Sequence, residues 1–253
     1  MLYYFFYNKK IMTTIKNTII KTNEFQIIEE ERNGYYTIKL KESNVSLLLS
    51  LIKSGILLGA TISDGYQSIT FRANKVENYQ THKKQEQKQK QEQNKKYEKA
   101  MKLLYDFGRQ IKYLITKENK CFYRLNPENL IIIDETKYIY LSTSDLVDIQ
   151  EEEREEQENN NVTIYAPFTK NLFDSPEINR IIQIPAKVDY KSIYYSLAKL
   201  IIFFLFDQEK EKEKEETIMN HLNHLNKIKG TKLFYTLERC LQTDPDERSL
   251  LFI

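Results

Sequence analysis

The sequence predicts an α+β fold in two lobes: a small β-rich lobe with one inserted helix, then a larger, mainly helical lobe. Three observations predict it. First, β-prone runs flank Asn33-Gly34 in "EFQIIEEERNGYYTIKLK" and Asp64-Gly65 in "ATISDGYQSITFRA". Such dipeptides suit tight hairpin turns because those turns need positive φ. Second, "HKKQEQKQKQEQNKK" (82–96) has no apolar residue and separates two compositions. Third, "YEKAMKLLYDFGRQIKYLI" (97–115) places Tyr97, Met101, Leu104, Phe107, Ile111 and Leu114 at helical spacing.

In chain order, residues 13–42 read as strands. Residues 44–58, "NVSLLLSLIKSGILL", read as a mostly buried helix with Asn44 as its cap. Residues 60–73 repeat the hairpin theme. The 82–96 tract is a low-complexity linker or a solvated helical extension. After the 97–115 helix, apolar runs at 130–133 and 138–141 on either side of "DETK" form a small hairpin. "EEEREEQENNN" (151–161) reads as a disordered loop insertion. A long helix (about 189–206), a charged tract "DQEKEKEKEE" (207–216) and a terminal helical region (217–253) complete the chain. The divisions expected are an extension at 1–12, a first lobe at 13–81, a linker at 82–96 and a second lobe at 97–253. Polar insertions fall near 151–161 and 207–216. No internal repeat is visible.

Composition narrows the function. The chain has 253 residues, of which 41% are hydrophobic and 29% charged, with a net charge of +2. That near-balance gives no electrostatic reason to expect nucleic acid or an acidic membrane as partner. Cys121 and Cys240 are far apart and outside any CxxC pattern, which argues against a disulfide scaffold or a zinc site. A reducing compartment is expected, cytoplasmic or nuclear. "MLYYFFYNKK" has its basic residues after a short apolar run, the reverse of a signal peptide, and Met12 is a second candidate start. "SIYYSLAKLIIFFLF" (192–206) is too short for a membrane span and contains Lys199, so a buried core helix is expected.

Four segments, in order, share one resemblance. "LNPEN" (125–129) is similar to the catalytic-loop segment usually written LKPEN. "SPE" (175–177) is similar to the APE motif that closes the activation segment. "VDYKSIYYSLAKLI" (188–201) resembles the long central helix of the large lobe, usually read as D-x-W-S-L-G. "LERCLQTDPDER" (237–248) resembles the late segment ending D-P-x-x-R. Together these segments resemble the protein kinase family, and the resemblance implies a two-lobed protein kinase-like fold. It covers about 97–253 well and 13–79 mainly as a pattern of elements.

The chemistry of that family needs a carboxylate to accept the hydroxyl proton, magnesium held by an Asp and an Asn, and a lysine on the nucleotide phosphates. The family's catalytic Asp lies five residues before the Asn. Here Asn129 is the matching Asn and Arg124 occupies the Asp position, while Asn126 replaces the usual lysine. Arginine stays protonated and cannot act as a base. Two readings of Arg124 remain: an anchor for a phosphate or an activation-segment carboxylate, or a solvent-facing side chain. The Asp of D-F-G is also missing. Family spacing points near Ser142 or Thr143 in "YLSTSDLVDI", and the nearest carboxylates are Asp145 and Asp148. Asn129 alone is a poor magnesium site.

The first lobe is depleted too. "YTIKL" (36–40) resembles the V-A-I-K strand, making Lys39 the candidate phosphate-contacting lysine, or else an exposed strand lysine. The helix at 44–58 has no acidic residue to pair with it, and no G-x-G-x-x-G loop precedes it. What the resemblance retains is architecture: Glu177 paired with Arg248, and Asp189 bonded to backbone N–H groups of the catalytic loop. His221 and His224 share a helix face at i, i+3, but two histidines do not make a metal site.

The leading expectation is therefore a pseudokinase that binds or scaffolds protein partners, with no catalytic or metal residues. Lys39 and Asn129 are its candidate nucleotide pocket, for ATP with or without magnesium. One alternative is a divergent ATP-dependent Ser/Thr kinase using Lys39, Asn129 and a displaced Asp145 or Asp148. Another is a mixed α/β interaction protein outside the kinase family.

Overall fold

The computed structural model describes residues 17–31, 34–88, 93–154, 157–206 and 225–251. Several expectations lie outside these residues: the extension at 1–12, Asn33, the charged tract at 207–216, and His221 with His224. The described residues form an α+β fold of three antiparallel sheets and six helices.

The first sheet is built from hairpins. Strands β1 (Asn17–Lys21), β2 (Phe25–Glu29) and β3 (Tyr35–Leu40) meander, and β4 (Thr61–Ile62) with β5 (Ser68–Arg72) completes the order β1-β2-β3-β5-β4. Burial alternates along β3, placing Tyr36, Ile38 and Leu40 in the core and Lys39 outward. That is the period of two expected for a half-buried strand. The β2–β3 turn closes at Gly34, whose φ of +81° suits a residue without Cβ. In the β4–β5 turn the left-handed residue is Tyr66 (φ 49°), one place after the expected Gly65. A loop wider than a two-residue hairpin lets Ser63 and Ser68 pair across it, with the Ser63 N–H donating to the Ser68 carbonyl at 2.9 Å.

Helix α1 (Val45–Lys53) sits between β3 and β4. The Asn44 side chain accepts the Leu47 N–H at 2.9 Å and starts it. Its buried face of Leu47, Leu48 and Leu51 packs into the main core. Each such leucine contributes roughly 1.5–3 kcal/mol relative to exposure.

Helices α2 (Tyr79–Lys88) and α3 (Gln93–Glu118) run through most of the polar tract. Of the expected stripe, α3 buries Leu104, Phe107, Ile111 and Leu114, with Leu103 beside them, while Tyr97 and Met101 are partly buried. A second sheet, β6-β8-β9, joins β6 (Val76–Asn78) to a hairpin of β8 (Leu130–Ile133) and β9 (Lys137–Tyr140). This is the small hairpin read from the two apolar runs, with Leu130 opposite Tyr140. The third sheet, β12-β11-β10-β7, joins β7 (Lys120–Phe122), β10 (Leu146–Arg154), β11 (Gln157–Ile164) and β12 (Ala186–Asp189).

Two expectations are corrected here. The second part of the chain is not mainly helical: six of the twelve strands among the described residues, β7 to β12, lie in it. In the tract at 151–161, the described residues 151–154 and 157–161 are strand rather than loop. They continue the β10–β11 ribbon, with Glu151 opposite Asn160 and Arg154 opposite Gln157. Antiparallel pairing uses backbone groups, so a polar sequence can extend a ribbon begun by Val147, Ile149 and Val162.

Helices α4 (Pro176–Asn179), α5 (Ser192–Phe206) and α6 (Lys232–Cys240) complete the set. α5 is buried along most of its length, as expected for a core helix. No helix of the described residues is long and apolar enough to cross a membrane. One continuous core runs from Ile20 and Phe25 in the first sheet through α1, α3, β8, β9 and α5 to Leu237 in α6. A smaller cluster under the third sheet holds Cys121, Tyr123, Ile149, Val162, Ile178 and Val188. Cys121 and Cys240 are both free and buried, and burial pushes their thiols up.

Candidate functional site

The loop between β7 and β8 carries the segment "YRLNPEN". Its end is a 3-10 turn, Pro127–Asn129, capped by the Asn126 side chain, which accepts the Glu128 N–H at 3.1 Å. Asn129 is buried, its N–H donates to the Asn126 carbonyl at 3.0 Å, and its own carbonyl accepts the Leu141 N–H at 3.0 Å. The loop is thereby tied to the end of β9.

A polar chain runs beneath it. The Asn126 N–H donates to the Tyr140 hydroxyl at 2.9 Å, and that hydroxyl donates to Asp145 Oδ2 at 2.9 Å. Gln110 on α3 holds Tyr140 in place: its Oε1 accepts the Tyr140 N–H at 3.0 Å, and its Nε2 donates to the Tyr140 carbonyl at 2.9 Å and to Ser50 Oγ at 3.2 Å. Fully buried Gln110 thus couples α1, α3 and β9 to the loop.

Arg124 is buried, which excludes the solvent-facing reading. Its Nη2 donates to the Thr169 carbonyl at 2.8 Å, and its guanidinium lies 4.9 Å from the Phe168 ring centroid. Its Nε is 3.7 Å from Asp174 Oδ1 and 4.0 Å from Asp145 Oδ1. Arg124 therefore stands as a cation between two buried carboxylates. Asp174 directly precedes the Ser175-Pro176-Glu177 segment, so the carboxylate reading of Arg124 is the one the geometry provides. Burial raises the carboxyls of Asp145 and Asp174, although hydrogen bonds and the Arg124 charge work against it. Tyr123 beside them is pushed up to about 12, mainly by burial. The 169–174 segment also holds the loop directly, since Asn171 Nδ2 donates to the Leu125 carbonyl at 3.1 Å.

Glu177 and Arg248 meet. Arg248 Nη1 pairs with Glu177 Oε1, and Nη2 donates to Oε2 at 2.9 Å. Arg248 Nε also donates to the Gln242 carbonyl at 2.7 Å, and Nη2 to the Thr243 carbonyl at 3.0 Å. Planar, two-point pairing of this kind is specific to arginine.

Asp189 departs from its expectation. It ends β12, and its carboxylate accepts the Lys191 N–H at 2.7 Å rather than an amide of the 123–129 loop. The tie to that loop is made instead by Ser192, whose Oγ donates to the Tyr123 carbonyl at 2.8 Å. Asp189 at the strand end is spent on closing the turn into α5, which leaves the first helical hydroxyl to reach the loop. Burial raises the Asp189 carboxyl against that hydrogen bond.

Lys39 and Asn129 occupy different surroundings. Lys39 projects outward from β3 into a cleft of about 240 Å³, which it lines with Lys21, Phe25 and Lys41 and which does not include Asn129. Asp148 sits opposite Lys120 across β7 and β10 and pairs with it at the surface. Asp145 is committed to Tyr140. Among the described residues, no group of three or more His, Cys, Asp or Glu could hold a metal ion.

A contact missed in the sequence closes the site. Glu24, in the β1–β2 turn, reaches the loop Ser142–Ser144. Its carboxylate accepts the Thr143 and Ser144 N–H groups, the latter at 3.0 Å, and the hydroxyls of Ser142, Thr143 and Ser144 at 3.2, 2.9 and 2.8 Å. Burial alone would raise this carboxyl, but the bonds from Ser144 and Thr143 outweigh it and hold it below the ordinary range. The available signal was a run of three hydroxyl residues, Ser142 to Ser144, and an acidic residue between two β-prone runs.

No family model matches the chain, and no curated protein matches it.

Proposed function

We propose that the chain is a pseudokinase: a two-lobed, kinase-like module that binds or scaffolds protein partners and does not transfer phosphate. One observation carries this reading. Arg124, which the kinase resemblance would align with the catalytic base, is a buried cation engaged with Thr169, Asp174 and Phe168. A group fixed in that way can neither accept a proton nor swing aside for a carboxylate.

Further observations support it. The loop where the family holds its metal-binding Asp has its donors turned onto Glu24. Asp145 is tied to Tyr140, and Asp148 to Lys120 at the surface, which weighs against the divergent-kinase alternative. The pairing of Glu177 with Arg248, which the resemblance implies, supports the kinase-like architecture. Incubation with radiolabelled ATP and a general protein substrate, in magnesium or manganese, tests the reading. No label is expected on the substrate or on the chain itself.

A further inference from the structure

The Ser142–Ser144 loop offers more than a latch for Glu24 requires. Two successive backbone N–H groups, Thr143 and Ser144, and three hydroxyls converge on one carboxylate. Consecutive N–H groups turned to one side form a concavity suited to anions. The hydroxyl directions follow from the bonding. Ser142 Oγ accepts the Asp145 N–H at 3.1 Å, which leaves its proton for the anion. An ionised carboxylate is an acceptor only, so Thr143 and Ser144 must also donate to it.

Five donors thus meet two oxygens with about four lone-pair positions between them. A phosphate group, with three or four oxygens, matches that donor set better than a carboxylate does. Glu24 also has no ion pair among the described residues, so neutral dipoles alone hold it. Its turn is open to solvent on another side: Thr22 and Phe25, which flank Asn23-Glu24, line the cleft that carries Lys21, Lys39 and Lys41. Those exposed lysines place positive charge beside the segment that would have to move.

We propose that the Ser142–Ser144 loop is a binding site for a phosphate-class oxyanion, and that Glu24 is its tethered internal occupant. Anion binding and release of the β1–β2 turn are then linked, because one loop cannot serve both. The site belongs to the loop geometry and holds whether or not the chain is kinase-like. A tethered competitor lowers the apparent affinity by the fraction of molecules in which the site is free.

The test is calorimetric titration of the full chain with inorganic phosphate, tripolyphosphate and ATP, each without divalent metal, with the Thr143 and Ser144 amides followed by NMR. Glu24→Ala should bind at least one of these probes roughly tenfold more tightly than the wild type, with both amides shifting. Adding Ser142→Ala and Ser144→Ala should remove the gain. Binding of all three probes identifies a general phosphate site, and binding of ATP alone identifies a nucleotide as the source. The proposal is overturned if Glu24→Ala gains no affinity, if the amides do not move, or if the gain survives loss of the hydroxyls. Should Glu24→Ala lose its dispersed amide spectrum, Glu24→Gln, which keeps the shape and removes the charge, carries the same expectation and the same refutation.

Discussion

Arg124 Nε lies 3.7 Å from Asp174 Oδ1, and each of these buried atoms lacks a hydrogen-bond partner among the described residues. At that separation the interaction is one of charge rather than of a directed bond. The pair holds the 123–129 loop against the segment that leads into α4. Removing one partner leaves the other buried and uncompensated, a loss of about 3–5 kcal/mol in comparable sites. Arg124→Ala and Asp174→Ala should each lower stability by roughly that amount, measured by urea unfolding. The double variant should lose less than the sum, because the sites share one interaction. Additive losses would mean that the two residues are energetically independent.

The two-point pair of Glu177 with Arg248 is a second tie, with the Arg248 side chain wholly buried. Arg248→Lys keeps the charge but cannot satisfy both carboxylate oxygens and the carbonyls of Gln242 and Thr243. It should cost about 2 kcal/mol or more, since buried acceptors lose their donors. An unchanged urea midpoint would show that lysine suffices.

Gln110 → Leu tests whether α3 positions the loop. The substitution is close in size but leaves the Tyr140 N–H and carbonyl without their side-chain partner. A loss of about 1–3 kcal/mol is expected. Hydrogen exchange at Asn126, whose N–H bonds the Tyr140 hydroxyl, should quicken along with it. Exchange at Asn126 equal to that of the wild type would separate Gln110 from the loop.

The Glu24 contact gives the molecule an acid-side dependence. Its carboxyl titrates below the ordinary glutamate value of 4.5 in the folded chain. The unfolded state therefore binds more protons across that window, and stability rises with pH through it. The contribution is fully present above about pH 4.5 and is lost as pH falls through the depressed value. Glu24→Gln should lack this component, so the stability difference between the two chains should shrink on acidification. A difference that stays constant down to the lowest accessible pH would contradict the assignment.

Local pattern made part of this legible. The β8–β9 hairpin, the stripe of α3, the Asn44 cap and the buried α5 follow from periodicity and turn chemistry over a few residues. The Glu177–Arg248 pair came from the family resemblance, since nothing in their spacing brings residues so far apart in the chain together. The β10–β11 ribbon was hidden because Glu and Asn have little strand preference, and the pairing of Ile149 with Val162 that begins it joins residues separated by that polar tract. Glu24 and Gln110 were hidden for a related reason. Each looks like an ordinary polar residue until tertiary closure presents it with a row of donors or a strand end. The sequence left two readings of Arg124 open, because its partner, Asp174, carries no signal of its own.

The most direct test of the central claim is a radiolabelled phosphotransfer assay on the wild type beside Asn129→Ala, in magnesium and in manganese. Asn129 is the residue to which the kinase resemblance would assign the metal. The account predicts that neither chain transfers label above a protein-free blank. Turnover by the wild type that Asn129→Ala abolishes would contradict it, and would mean that a carboxylate elsewhere in the chain replaces the base that Arg124 cannot be.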